Sequence, residues 1–82
     1  MLQLTRTTIF TDTRLEPDAI AFCPETGANF SESRGQYILV IWEPQYIVRH
    51  WSKRNVHTLE DALQRAQKSL DKIVAKQTQE AQ

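Results

Sequence analysis

Any chemistry done by this chain has to come from its nucleophiles, bases and charge clusters, and those are few. Cys23 is the single thiol, set between Phe22 and Pro24 with Glu25 close by. A nucleophilic cysteine needs a cationic neighbour to lower its pKa. The near neighbours here are acidic, so Cys23 is expected to be a buried, inert packing residue. His50 and His57 are candidates for a general base, but neither has a nucleophile and an orienting group arranged around it. His50 is expected on a strand with its ring satisfied, and His57 exposed just before a helix cap. A metal site needs three or four ligands, and Cys23, His50 and His57 show no recognisable ligand spacing. With glycine only at 27 and 35, no phosphate-cradling loop can form. The expectation is no catalytic residue, no metal and no cofactor.

Binding chemistry is better represented. Trp42, Tyr46, Arg49 and Trp51 lie close together, followed by Lys53 and Arg54. Trp, Tyr and Arg are the residues enriched at protein-binding hot spots. These six are the expected partner-binding residues of a small, non-enzymatic protein-interaction module: an adaptor, an accessory subunit or an inhibitor. The alternative is a nucleic-acid-binding module using segment 49–57. Arg49, His50, Trp51, Lys53, Arg54 and His57 interleave cations with an aromatic ring, the mixture used for phosphate contact and base stacking. Charge weighs against the alternative. The chain is neutral overall, with ten basic and ten acidic residues, whereas nucleic-acid-binding domains usually carry a clear basic excess. The distribution is uneven: Asp12, Glu16, Asp18, Glu25 and Glu32 outnumber the cations of residues 1–33. Arg34, Arg49, Lys53 and Arg54 face only Glu43 in residues 34–57. That asymmetry can orient a partner.

The elements that must position these side chains are clearest in the middle of the chain. Residues 37–42 (Tyr-Ile-Leu-Val-Ile-Trp) are an unbroken apolar run, rich in β-branched and aromatic side chains. Residues 46–51 (Tyr-Ile-Val-Arg-His-Trp) return the chain, and Pro44 belongs in the turn between them because it has no N–H for a ladder. A two-residue loop would pair Trp42 with Ile47 and put Arg49 and Trp51 on its face. A three-residue loop would pair Trp42 with Tyr46, put Val48 and His50 beside them, and send Arg49 and Trp51 to the face of Leu39 and Ile41. One slip exchanges the faces of the partner strand, and the residues leave the choice open. Either register leaves one apolar and aromatic face uncovered once a helix has taken the other, and such a patch marks a binding surface. The competing expectation is that residues 1–36 fold across it or that the sheet dimerises.

The helix signal is strong. Thr58 is a cap, and Asp61 three residues on resembles a capping box with Asp in place of Glu. Leu59, Ala62, Leu63, Ala66, Leu70, Ile73 and Val74 form one stripe of a 3.6-residue period. Asp61 and Arg65 form an i,i+4 pair in the favourable order. A helix over 59–76 is about 27 Å long and a six-residue strand about 20 Å. The helix therefore overhangs the sheet, and Ile73 and Val74 are expected to be exposed unless a strand, a loop or a second copy covers them.

Other segments read less clearly. Residues 2–10 read as a first strand, from the alternation of Leu2 and Leu4 and the threonines nearby, closed by 12–14. Residues 16–18 can open one helical turn, with Pro17 at its first position, or 19–23 can form a short strand. Residues 25–35 hold both glycines and several small polar side chains and read as loop, with Phe30 a lone anchor. The whole is expected to be one α+β domain over 1–76, with a frayed tail over 77–82. Its sheet is antiparallel, of three strands or four, with the amphipathic helix packed on one face. A three-stranded sheet followed by a helix also resembles the small modules that lay a sheet into the DNA major groove. That likeness covers 37–70, is one of architecture and rests on no motif.

At 82 residues the core is thin and the stability margin small. A lone cysteine forms no internal disulfide. The first residues lack a basic stretch followed by an apolar one, so export is not expected, and no apolar run is long enough to span a bilayer. The expected setting is cytoplasmic. Asn29-Phe30-Ser31 matches a glycosylation sequon, taken here as chance. The expected partners are a protein, or nucleic acid on the alternative reading. No membrane is expected, and a homodimer would form through an edge strand or the helix end.

Overall fold

A computed structural model describes residues 3–6, 12–16, 18–43 and 45–80, the side chains as far as residue 76. Five strands run in chain order across one antiparallel sheet: β1 (Thr5–Arg6), β2 (Ala19–Cys23), β3 (Ala28–Ser33), β4 (Gln36–Ile41) and β5 (Ile47–Ser52). One helix follows, α1 (Leu59–Glu80), and packs on one face. The expected α+β class is correct, with five strands in place of three or four.

The extra strand is β3, where the composition suggested loop. Its residues alternate: Ala28 and Phe30 are buried on the helix side, paired with Cys23 and Leu39, while Asn29 and Ser31 face the other way. Small polar side chains are poor strand formers in isolation. Here β3 is central, bonded to β2 on one side and β4 on the other, so pairing supplies what propensity lacks. Phe30 is thus an anchor inside a strand, not on a loop. The short strand at Ala19–Cys23 forms, and the segment before it ends in a turn in which the Ala19 N–H donates to Glu16 O at 3.1 Å. The strand carries a bulge between Ala19 and Ala21. Of the first strand expected over 2–10, Thr5–Arg6 is present; residues 7–11 and both Pro17 and Pro44 lie outside the described residues.

β4 and β5 pair as Tyr37↔Trp51, Leu39↔Arg49 and Ile41↔Ile47, the register that sets Trp42 opposite Tyr46. The helix face of the sheet therefore presents Ala21, Cys23, Ala28, Phe30, Tyr37, Leu39 and Ile41, all buried. Against them α1 sets Ala62, Ala66 and Leu70, also buried, with Val56 closing the end. The alanines let the helix backbone approach the sheet closely. Phe30 stacks on Tyr37 with ring centroids 5.8 Å apart.

α1 begins as its cap requires: the Asp61 N–H donates to Thr58 Oγ1 at 3.1 Å. The Arg65–Asp61 pair is present at 3.5 Å. The helix continues to Glu80, past the end of its apolar stripe, in a segment rich in Lys, Gln, Ala and Glu, which are good helix formers by intrinsic propensity. Its 22 residues make a rod of about 33 Å, longer than any strand. Ile73 and Val74 end up half-buried, packed against the rim of the core. The overhang is real but partly covered from within the chain.

On the opposite face Asn29 pins the segment before β2. Its side-chain amide donates to Arg14 O at 2.9 Å and Gly27 O at 2.8 Å, and its Oδ1 accepts the Glu16 N–H at 2.8 Å. Asn29 is almost wholly buried, which closes the sequon to modification in the folded state. Arg14 then ties three turns together. It reaches Asp12 at 2.8 Å, Pro24 O at 2.8 Å and Glu43 at 3.4 Å. Its side chain lies over Gly27, which has φ +67°, and a Cβ there would meet Arg14 Cδ at 2.9 Å. The positive φ favours glycine, and any side chain there would also have to push the Arg14 side chain aside.

The hydrogen bonds from Arg14, from its side chain and from its backbone, hold the Asp12 carboxyl at a pKa of about 2, below its ordinary 3.8. A depressed acid pKa gives stability that is present above the ordinary value and lost as pH falls through the folded one. Urea midpoints should therefore drop between about pH 4 and pH 2, and Asp12→Asn should flatten that part of the profile. Glu25 is shifted in the same direction, chiefly by the Cys23 S–H, so some slope should survive in the variant.

Candidate functional site

Antiparallel alternation divides the hairpin between two environments. The face away from α1 carries Ile38, Val40 and Val48, each half-buried, and the exposed His50. At its end Trp42 and Tyr46 stand across the turn with ring centroids 5.3 Å apart, edge to face. They are 40% and 60% exposed, the large apolar side chains left open among the described residues. This end of the hairpin is held firmly. The backbone N–H groups of Trp42 and Glu43 both donate to Thr26 O, at 3.2 and 2.9 Å, and Glu43 also meets Arg14. Toward β3 the face leads into a hollow of about 280 Å³ between Ile38 and Val40 on one side and Glu16 and Asp18 on the other.

The six expected binding residues are not one patch. Trp42 and Tyr46 come together on the open face. Trp51 turns to the helix side and is half-buried against the core. Lys53 is committed within the fold: its Nζ lies 2.9 Å from Glu32 and 5.5 Å from the centre of the Tyr37 ring. Arg54 is exposed in the turn after β5, its backbone N–H donating to Ser52 Oγ at 3.1 Å. Arg49 is exposed at the outer edge of β5, on the helix side, with Nη1 donating to Val48 O at 3.4 Å. Residues 49–54 are consecutive in sequence but diverge in space, because successive strand side chains point to opposite faces.

Residues that the chemistry-first reading passed over also belong to this surface. Ile38, Val40 and Val48 form its floor. Their signal was the period-two pattern of the hairpin, which only the register could turn into a face. Glu16 and Asp18 reach its border through a segment whose path the sequence did not show.

The candidate catalytic groups are apart from one another. Cys23 is buried under α1, its S–H donating to Glu25 Oε2 at 3.2 Å. His50 and His57 are exposed, on β5 and on the link before α1. Among the described residues no three His, Cys, Asp or Glu side chains are placed to hold a metal. No described helix is long and apolar enough to cross a membrane.

Fold and surface together define a five-stranded antiparallel meander, backed on one face by a single C-terminal helix and open at its aromatic hairpin end. Comparison with protein families, with curated proteins and with solved structures finds no match.

Proposed function

We propose that this chain is a small, non-enzymatic protein-interaction module, working in the cytoplasm, whose partner seats on the open face at the β4–β5 hairpin. The observation that carries the reading is the exposed Trp42–Tyr46 pair, contiguous with Ile38, Val40 and Val48 on a sheet face that α1 does not cover. Aromatic rings held rigidly at the edge of an apolar floor give a partner large contact area at little entropic cost. The preferred partner surface is apolar, with cations on the side that meets Glu16 and Asp18.

Nucleic-acid binding through 49–57 is the weaker reading. Alternation sends Arg49 and His50 to opposite faces, and Lys53 is paired with Glu32, so the cations do not converge on one strip of phosphates.

The test is capture from native lysate with and without nuclease, run in parallel for the wild type and for Trp42→Ala and Tyr46→Ala. Both rings are exposed, so the variants should unfold within about 1 kcal/mol of wild type. A protein retained after nuclease by the wild type and lost by both variants is the expected result. Retention unaffected by either substitution, or a captured species that disappears with nuclease, would overturn the reading.

A further inference from the structure

Among the described residues the outer edge of β5 pairs with no further strand. β5 ends the sheet order. The Lys53 N–H donates to Gly35 O at 3.0 Å, continuing the Gln36↔Ser52 register. Antiparallel alternation from that bond turns the backbone groups of Ile47, Arg49 and Trp51 toward β4, and those of Val48 and His50 outward. An outward row of this kind is a template for one more strand. Alongside it, between β5 and α1, runs a groove of about 480 Å³. Ile47 and Ile73 give the groove apolar walls, Arg49 and Lys76 give it two cations, and among the described residues no acidic side chain lines it. Arg49 meanwhile turns back on the edge through its long, exposed contact with Val48 O.

We propose that the β5 edge and this groove take up an extended, acidic protein segment as a sixth strand, with Arg49 selecting for the acid. The inference rests on the protein-interaction reading but uses the edge of the hairpin and the helix-side groove, which borders the Trp42–Tyr46 face through Tyr46 and Val48 and does not include Trp42. On the helix side an added strand would set one residue opposite Arg49 and another, two positions away, opposite Ile47. The recognised pattern is therefore an acid and an apolar residue separated by one position. A carboxylate there replaces the 3.4 Å contact of Arg49 with a charge-assisted bond, and the released Val48 carbonyl accepts an N–H from the new strand. A neutral strand would displace the guanidinium without giving it a partner, so the same side chain guards the edge against indiscriminate pairing. A second copy is the poorer occupant. Arg49 sits at the middle of β5, and a two-fold β5–β5 pairing brings the two guanidinium groups close together, where like charges repel.

The test uses a blocked, fluorescently labelled heptapeptide, Thr-Glu-Thr-Val-Thr-Glu-Thr, whose symmetric acids serve either strand direction, and its glutamine and lysine counterparts. At low salt the glutamate peptide should bind the full chain about two- to fivefold more tightly than the glutamine peptide, the ratio expected of one exposed ion pair. At saturation the amides of Val48 and His50 should become protected from hydrogen exchange. Arg49→Ala should abolish the preference, and Arg49→Glu should shift it to the lysine peptide. Equal affinity for the glutamate and glutamine peptides would overturn the inference. So would an acidic preference without protection at Val48 and His50, or no saturable binding at millimolar peptide. Trp42→Ala should leave the peptide preference intact. If partner capture depends on Trp42 while the peptides fail, only the edge inference falls; if the peptides succeed while capture ignores Trp42 and Tyr46, only the open-face reading falls.

Discussion

Phe30→Ala should remove about 3–5 kcal/mol of stability, the usual cost of emptying a fully buried phenylalanine site. Phe30 has no exposed surface, lies on the central strand, and stacks on Tyr37 across to β4. A domain of this size holds roughly 4–12 kcal/mol in all, so a large share of the folded population is at stake. The neighbouring strands are fixed by ladders on both sides of β3, which limits how far the site can collapse around the void. Urea unfolding followed by the fluorescence of Trp42 and Trp51 measures the loss. Phe30→Leu, which keeps most of the volume, should cost about 1–1.5 kcal/mol. A loss below about 1.5 kcal/mol for Phe30→Ala would mean that the ring behaves as a loop anchor able to relax away, the role its sequence surroundings suggested.

That contrast shows what local sequence can and cannot convey. The hairpin and the helix were legible because their signals are local: an unbroken apolar run, a proline, a cap and a 3.6-residue stripe. β3 was not, since its six residues include three small polar side chains facing away from the core. Strand formation there depends on partners on both sides, and pairing is a non-local property. The site was legible in composition and illegible in arrangement. Trp42, Tyr46, Arg49, Trp51, Lys53 and Arg54 were identifiable as contact-forming types. Their division among an open face, an edge and a packed interior follows from one integer, the register of β4 on β5, which Pro44 and its neighbours do not specify. Lys53 illustrates the cost. Its charge counts toward a basic segment in sequence, yet Glu32, 21 positions earlier, neutralises it in the fold.

Asn29→Ala should be the second severe substitution, costing about 2–4 kcal/mol although it removes only a small polar side chain. Three hydrogen bonds converge on the Asn29 amide, and the substitution leaves two carbonyls and one N–H to find other partners. Each buried polar group left unsatisfied costs about 1–3 kcal/mol; water can reach Glu16 and recover part of the loss, which sets the upper limit. Asn29→Asp separates hydrogen bonding from size. The carboxylate keeps an acceptor for the Glu16 N–H but sets oxygen against the carbonyls of Arg14 and Gly27, and it buries a charge. Burial should raise the folded-state pKa of that carboxyl, so this variant should regain stability as pH falls through the raised pKa toward the unfolded value, opposite in sign to the Asp12 effect. Losing the Asn29 tether should also free the segment carrying Arg14 and Glu16, and limited trypsin cleavage after Arg14 should precede global unfolding. Because Glu16 and Asp18 border the hollow beside Ile38 and Val40, the same variant tests whether that border matters to the partner without touching Trp42 or Tyr46. An unfolding free energy of Asn29→Ala within about 0.5 kcal/mol of wild type would show that the polar tether is dispensable and that packing alone holds the segment in place.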